Sequence, residues 1–508
     1  MACLSANERV AFRTISQLCY CNPFLPERIG HERALLGGDF LETEADWNMR
    51  GDDPNTPLVN AVRLTERIEM LVQRVRERLT RGNKALPEEL GFYEDAVFLL
   101  LYYRYESHFY EMILHALQQS TGHRVCRFYR AFQKDWEHYF HPPGFTWGTQ
   151  HDAAHVFACF FQVRRAFHHI FRYLIGGSTA AARLRVAVWQ SIFTYDMRRY
   201  RRTLYAHMQD FATLIIGPSG TGKELVARAI GLSRYVPFDA NTLTFVEDFA
   251  TSFHALNLSA LPSTLIESEL FGHRRGAFTG AVQDRRGWLE ICTPLGTVFL
   301  DEIGDLDPAM QVKLLRVFQT RTFHALGDTA ERRFAGKLIA ATNRDLVAAM
   351  QHGQMREDFY YRLCSDLIVT PSLYEQLHES PDVLRTLLVF LAQRIAGTEA
   401  EELAAEVEAW IVTNLGRDYP WPGNIRELEQ CVRNVLIRQE YRPSQVPVRT
   451  AHETLAQAMG RGALTADELL RRYCTLVYTK TGSYEETARR LQLDRRTVKR
   501  KIDPQFLA

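Results

Sequence analysis

Apolar residues in the first third of the chain recur at helical spacing. Leu64, Ile68, Leu71, Val72, Val75 and Leu79 fall three or four apart with Arg and Glu between them, which predicts an amphipathic helix over 64–79. Two more helices are predicted, at 94–119 and 151–174. Residues 1–172 therefore read as a mostly helical domain rich in Tyr, Phe and His. The pattern changes at Ile175-Gly176-Gly177-Ser178. From Ala212 short β-rich runs alternate with helices, the arrangement of a parallel sheet wrapped by helices. Strands are expected at 213–216, 298–300 and 338–341. Beyond Pro371 the helical period returns, and the Pro- and Gln-containing stretch 442–448 reads as a linker to a small helical domain.

Length and charge narrow this picture. The 508 residues suit about three domains, and 46% hydrophobic content is ample for buried cores. With 61 Lys+Arg against 60 Asp+Glu, any contact with nucleic acid has to come from a local patch. Nine cysteines without CxxC pairs, and no basic-then-apolar leader, point to a reducing cytoplasm. The longest apolar runs fall short of the roughly 18 residues that cross a bilayer.

Gly217-Pro218-Ser219-Gly220-Thr221-Gly222-Lys223 follows a predicted strand and precedes a predicted helix, as a phosphate-binding loop requires. The glycines let backbone N–H groups turn towards phosphates, and Lys223 reaches their outer oxygens. The usual hydroxyl after the lysine is replaced by Glu224, so metal holding falls on other groups. The strand 297–300 runs into Asp301 and Glu302. Taken alone such a pair is usually a solvated turn. Paired with the upstream loop, Asp301 becomes the expected Mg²⁺ ligand and Glu302 the group that polarises the attacking water. ATP and Mg²⁺ are the expected cofactors.

Further motifs carry a family resemblance. They are Glu267-Ser-Glu-Leu-Phe-Gly-His273, Gly276-Ala-Phe-Thr-Gly-Ala281, Phe299-Leu-Asp-Glu-Ile-Gly-Asp305, Arg356-Glu-Asp-Phe-Tyr-Tyr-Arg362 and Trp421-Pro-Gly-Asn-Ile-Arg-Glu-Leu428. With these the sequence resembles the NtrC-like, sigma-54-dependent activators, over roughly residues 173–440 and again at the C-terminus. The fold implied is an α/β AAA+ P-loop NTPase core (173–370) with a helical lid (371–440). A mostly α N-terminal regulatory domain (1–172), a linker (441–464) and a Fis-type helix-turn-helix (465–508) complete the expected organisation. The resemblance makes Asn257 the switch on Glu302 and Thr342 and Asn343 the first sensor. It makes Arg356 and Arg362 fingers reaching a neighbouring subunit's ATP, and Arg426 the second sensor. Gly276, Ala277, Phe278, Thr279, Gly280 and Ala281 become the loop that touches sigma-54. The residues themselves agree, since two glycines flank a tip with one aromatic, expected to be exposed. Two departures stand out. The lid has Pro371-Ser372-Leu373-Tyr374-Glu375-Gln376 where arginines are usual, and an insert at 196–202 precedes the first strand.

Helices are predicted at 465–481, 484–491 and 495–502, the last capped by Asp494. The final two, separated by three residues, form a helix-turn-helix. Seven Lys or Arg crowd residues 489–501 against Asp494 alone, which makes this the expected surface for double-stranded enhancer DNA. Arg495, Arg496, Thr497 and Lys499 are placed to meet base edges, and Arg500 and Lys501 to hold phosphates.

The function implied is an ATP-driven activator, assembled as a hexameric or heptameric ring, that remodels sigma-54 RNA polymerase holoenzyme. The alternatives are a nucleotide-sensing DNA-bound regulator or repressor not acting through sigma-54, and a general AAA+ unfoldase. Ten of the 17 histidines fall in residues 1–172, but without Cys or carboxylate at ligand spacing they read as structural. That domain shows no receiver pattern, so it is expected to take an unidentified signal or partner and to restrain ring assembly.

Overall fold

Five strands make the parallel sheet at the centre of the larger part of the chain. In chain order they are β1 (Thr213–Ile216), β2 (Phe253–Asn257), β3 (Thr297–Asp301), β4 (Lys337–Thr342) and β5 (Asp366–Val369). Their spatial order is β2-β3-β4-β1-β5, and every neighbouring pair is parallel. The expected 213–216 strand coincides with β1, and the other two extend a residue or so beyond their expected bounds. This is a computed structural model, and it describes residues 3–45, 58–119, 125–143, 145, 147, 152–249, 252–443, 459 and 464–502. His151, the linker stretch 444–458 and the last six residues lie outside them. The chain divides into two units, Met1–Gln439 and Glu440–Ala508.

Strand periodicity sends successive side chains to opposite faces of the sheet. Leu214, Leu300 and Leu338 therefore join one core, with Leu314 and Phe334. Ile215, Phe299, Ile339 and Ile368 join another on the opposite face. Because both faces are covered, β4 is buried along its whole length and its sequence reads as a near-continuous apolar run.

That second core is not made by the sheet's own helices alone. Ala166 and Ile170 of the helix Ala153–Tyr173, and Trp189 and Phe193 of the helix Thr179–Phe193, pack in it beside Val226 and Ile230 of the P-loop helix Lys223–Gly231. A third core, largely aromatic, fills the N-terminal helices Ala6–Tyr20, Val59–Thr80, Pro87–Gln119 and Tyr129–Phe140. It also takes in Phe238 and Phe245, from the two-stranded hairpin Phe238–Asp239/Thr244–Phe245, and Phe249. The insert forms the short helix Met197–Arg202, capped by Asp196, whose Arg198 pairs with Asp95 and Arg201 with Glu94.

Four helices follow β5: Leu373–Glu379, Val383–Ala396, Ala400–Asn414 and Asn424–Arg438. The altered 371–376 segment has a local function. Ser372 and Glu375 close a reciprocal capping box at the start of the first of these helices.

In the smaller unit, helices run Ala466–Thr481, Tyr484–Leu491 and Arg495–Lys501, each with a side-chain N-cap, from Thr465, Ser483 and Asp494. Gly482 and Gln492, at φ 63° and 52°, turn the chain between them. Cys474, Thr487, Ala488 and Val498 make the small core. Among the described residues no helix is long and apolar enough to cross a membrane.

Candidate nucleotide site

The P-loop leaves the end of β1 through glycines that no other residue could replace without moving something. A Cβ on Gly217 would lie 2.1 Å from the Thr370 hydroxyl oxygen, and one on Gly220 would lie 2.2 Å from the Gly423 carbonyl oxygen. Both positions also have positive φ. Inside the loop the Lys223 ammonium donates to the carbonyls of Gly217 at 3.0 Å and Pro218 at 3.1 Å. Burial lowers its pKa, while the charges of Glu302 and Asp301 act in the opposite sense. The ammonium is thus partly desolvated, and its hydrogen bonds among the described residues go to neutral acceptors, which phosphate oxygens can replace. Glu224, in the hydroxyl's usual place, is engaged by Arg228 at 2.8 Å.

The lid reaches the loop directly. The Asn424 side chain donates to the Ser219 carbonyl at 2.9 Å and accepts the backbone N–H of Leu373 at 2.8 Å. The Ile425 N–H donates to the Gly220 carbonyl at 3.1 Å, and Arg426 meets the Ser219 hydroxyl at 3.3 Å. Thr370, after β5, shares a 2.7 Å hydrogen bond with the Thr221 hydroxyl. Asn424 and Thr370 were missed as site residues in the sequence reading. Asn424 lies inside the quoted Trp-Pro-Gly-Asn-Ile-Arg run, so a signal was present, whereas nothing local marks Thr370.

β4 lies between β1 and β3, so its last residue stands between the loop and the acidic pair. Asp301 accepts the N–H of Glu302 at 3.1 Å, and burial together with the Glu302 charge raises its pKa. Glu302 is left-handed at φ 56°, a conformation costly for a residue with a Cβ. Its carboxylate accepts the backbone N–H of Asn343 at 3.1 Å. The Thr342 hydroxyl accepts the N–H of Arg344. Asn257 is in register with Asp301, but its side chain accepts from the Ser259 N–H and hydroxyl at 3.0 and 2.8 Å. The residue engaging Glu302 here is Asn343, and the expected Asn257 contact is not made among the described residues.

Two carboxylates suit Mg²⁺, which takes one or two from a protein and completes its shell with phosphate oxygens and water. Among the described residues no cluster of three or more His, Cys, Asp or Glu could hold a metal by itself. Arg356 caps no N–H group; its guanidinium forks onto Asp358 at 2.8 and 3.0 Å. Arg362 is exposed in the last turn of the helix Glu357–Leu363.

At the 276–281 tip the Gly276 N–H donates to the Ala281 carbonyl at 2.8 Å, closing the turn. Phe278 is half-buried and not exposed as expected. Its ring meets the buried His273 imidazole edge-on at 5.0 Å, a contact that outweighs exposure to water. Gly276, Thr279 and Gly280 are exposed, and Val282 beside them is 80% exposed. Arg274 anchors the base through Asp284 and Asp328.

On the last helix Arg496, Lys499 and Arg500 are exposed. Arg495 pairs with Glu485 at 2.9 Å, Lys501 pairs with Asp467, and Thr497 is half-buried. Of the six residues expected to meet DNA, two are therefore already engaged by carboxylates of the same unit.

The chain is similar to known proteins over the segment that carries this site. Residues 194–368 match the sigma-54 interaction domain. The Nif-specific regulatory protein of Azotobacter vinelandii is 42% identical over 227 residues, which is 45% of this chain and 40% of that protein. The transcriptional regulatory protein ZraR of Escherichia coli K12 is 38% identical over 293 residues, 57% of this chain and 62% of that one. The solved structure of NtrX from Brucella abortus aligns at 21% identity and TM-score 0.39, over 73% of this chain and 79% of that one. The chain spans about half the length of the curated relatives it matches.

Proposed function

We propose, from the premise that this chain belongs among the NtrC-like, sigma-54-dependent activators through its sigma-54 interaction domain at 194–368, that it hydrolyses ATP to remodel sigma-54 RNA polymerase at promoters. One observation carries the reading. The ends of three adjacent strands, β1, β4 and β3, bring the P-loop lysine, Asn343 and the Asp301–Glu302 pair together under a lid bonded to the loop.

On this reading Lys223 and the loop N–H groups of 217–223 take the β and γ phosphates, and Arg426 senses the nucleotide from the lid. Asp301 would hold Mg²⁺, which would neutralise charge on the phosphates. Glu302 orients and polarises water once it leaves the Asn343 N–H, and its strained backbone favours such a rearrangement. Asn343 therefore restrains Glu302, with Asn257 near enough in register to exchange with it. Arg356 and Arg362, exposed at the N-cap and in the last turn of one short helix, act on a neighbouring subunit's ATP in a ring. The 276–281 tip contacts sigma-54, and the last helix, in the cytoplasm, contacts enhancer DNA.

The test is transcription in vitro from a sigma-54 promoter. Open complexes are expected only with sigma-54 holoenzyme and hydrolysable ATP. Equal activity with a non-hydrolysable analogue would replace this reading with that of a nucleotide-sensing regulator.

A further inference from the structure

The P-loop helix Lys223–Gly231 ends at Leu232, where three successive carbonyls, those of Leu232, Ser233 and Arg234, leave the helix axis. All three are taken by two side chains of the helix Ala153–Tyr173 that stand one turn apart. The Gln162 amide donates to the Ser233 carbonyl at 2.9 Å. The Arg165 guanidinium donates to the Leu232 carbonyl at 3.1 Å and to that of Arg234. Gln162 and Arg165 are each 1% exposed.

A buried guanidinium ordinarily needs a carboxylate beside it. Among the described residues Arg165 pairs with none, and its other neighbours are the Phe161 and Phe249 rings at 5.1 and 5.2 Å. The negative end of the P-loop helix therefore serves as its counter-charge, and the cation in turn holds that end. The same end is fitted closely to the sheet. A Cβ on Gly231 would lie 2.6 Å from the Phe253 ring of β2, and the Gly231 carbonyl accepts the Thr297 hydroxyl of β3 at 3.4 Å. Ala166 and Ile170 continue the contact along the helix, in one core with Val226 and Ile230.

We propose that Arg165 and Gln162 are positioning residues for Lys223: they fix the P-loop helix along its axis and so set where its first residue meets phosphate. The helix is nine residues long, so its ends lie about 13 Å apart, and a rigid element of that length carries a shift at one end to the other. The effect on turnover rests on the ATPase reading above, whereas the clasp at the helix end does not depend on nucleotide. On this assignment the helix Ala153–Tyr173 is a part of the ATPase as much as of the regulatory domain expected at 1–172.

The experiment compares full-chain Arg165→Met, which keeps the aliphatic stem, with Arg165→Lys, which keeps the charge, and with Gln162→Met. Hydrogen exchange read by mass spectrometry follows the 226–231 amides, and ATP affinity and steady-state turnover are measured well below each melting temperature. Arg165→Met should speed exchange at 226–231 at least about tenfold. It should also weaken ATP binding about tenfold and lower kcat by about ten- to hundredfold. Arg165→Lys should recover part of each loss, because one ammonium reaches one carbonyl where the fork reaches two. Gln162→Met should change all three in the same direction by about threefold. Ile68→Val, in the core of the N-terminal helices, should lower the melting temperature and leave ATP affinity and kcat unchanged. Folded Arg165→Met with unaltered exchange at 226–231, or with unaltered ATP affinity and kcat, overturns the assignment, as does an equal loss in Ile68→Val. If Arg165→Met does not fold, Arg165→Lys and Gln162→Met decide it by the same readouts. An unaltered chain that neither binds nor turns over ATP counts against the ATPase reading, and exchange at 226–231 then decides the clasp alone.

Discussion

The proposed nucleotide site and the two proposed contact surfaces are built on opposite plans. At the site the functional groups are buried or strained and already bonded. Lys223 is held by two carbonyls, Glu302 is left-handed with its carboxylate on Asn343, and Gly217 and Gly220 leave no room for a Cβ. At the 276–281 tip and on the helix Arg495–Lys501, Thr279, Gly280, Arg496, Lys499 and Arg500 stand in water, on short elements tied down at their bases. Chemistry needs fixed geometry in low dielectric, whereas contact with another macromolecule needs accessible groups. Single substitutions should therefore act steeply in the first region and gradually in the second.

The largest effect is expected from Glu302→Gln. Turnover should fall by about 10²- to 10⁴-fold, as for loss of a general base, while nucleotide binding stays close to that of the unaltered chain. Rapid-quench hydrolysis alongside fluorescent nucleotide titration measures both, and parallel losses would reassign Glu302. Next comes Lys223→Ala, which removes a charge-assisted partner and should weaken ATP binding by about 10- to 100-fold. Tight binding in equilibrium dialysis would place the phosphates elsewhere.

The strand ends behind these predictions were legible in the sequence because each is a contiguous motif. The P-loop glycines, the Asp301–Glu302 pair and β1 all follow from residues a few positions apart. What the sequence concealed is non-local. Phe278 looked exposed because its partner His273 is read as part of a different motif, and the imidazole's place in space depends on the Ser268 hydrogen bond at 2.7 Å. The Lys501–Asp467 pair spans two helices, so a count of local charge overstates the cations available to DNA. The hairpin at 238–245 has strands of only two residues, too short for any alternation to show.

At the tip, Thr279→Ala should leave ATP turnover near the unaltered level and lower sigma-54-dependent transcription by more than about tenfold, the scale of an interface hot spot. Normal transcription would shift the contact to Val282, an exposed neighbour. The smallest effect belongs to the last helix. Arg500→Ala should weaken DNA binding across sequences and reduce the log–log salt slope by about 0.9, while Lys501→Ala should change it less because that ammonium is already paired. Equal slopes for the two variants would remove the distinction.

The aromatic hairpin bears on heredity. Phe238, Phe245 and Phe249 lie within the central segment of the chain, yet they are packed among N-terminal rings such as Phe157 and Phe161. A recombination event joining a foreign regulatory segment at residue 172 would inherit these three phenylalanines without their partners, and a new aqueous face in place of a core. The N-terminal helices and the 238–249 stretch are therefore expected to change together in descent, as a lock and its key do, and a chimaera that exchanges both should express in soluble form where one that exchanges only the first does not.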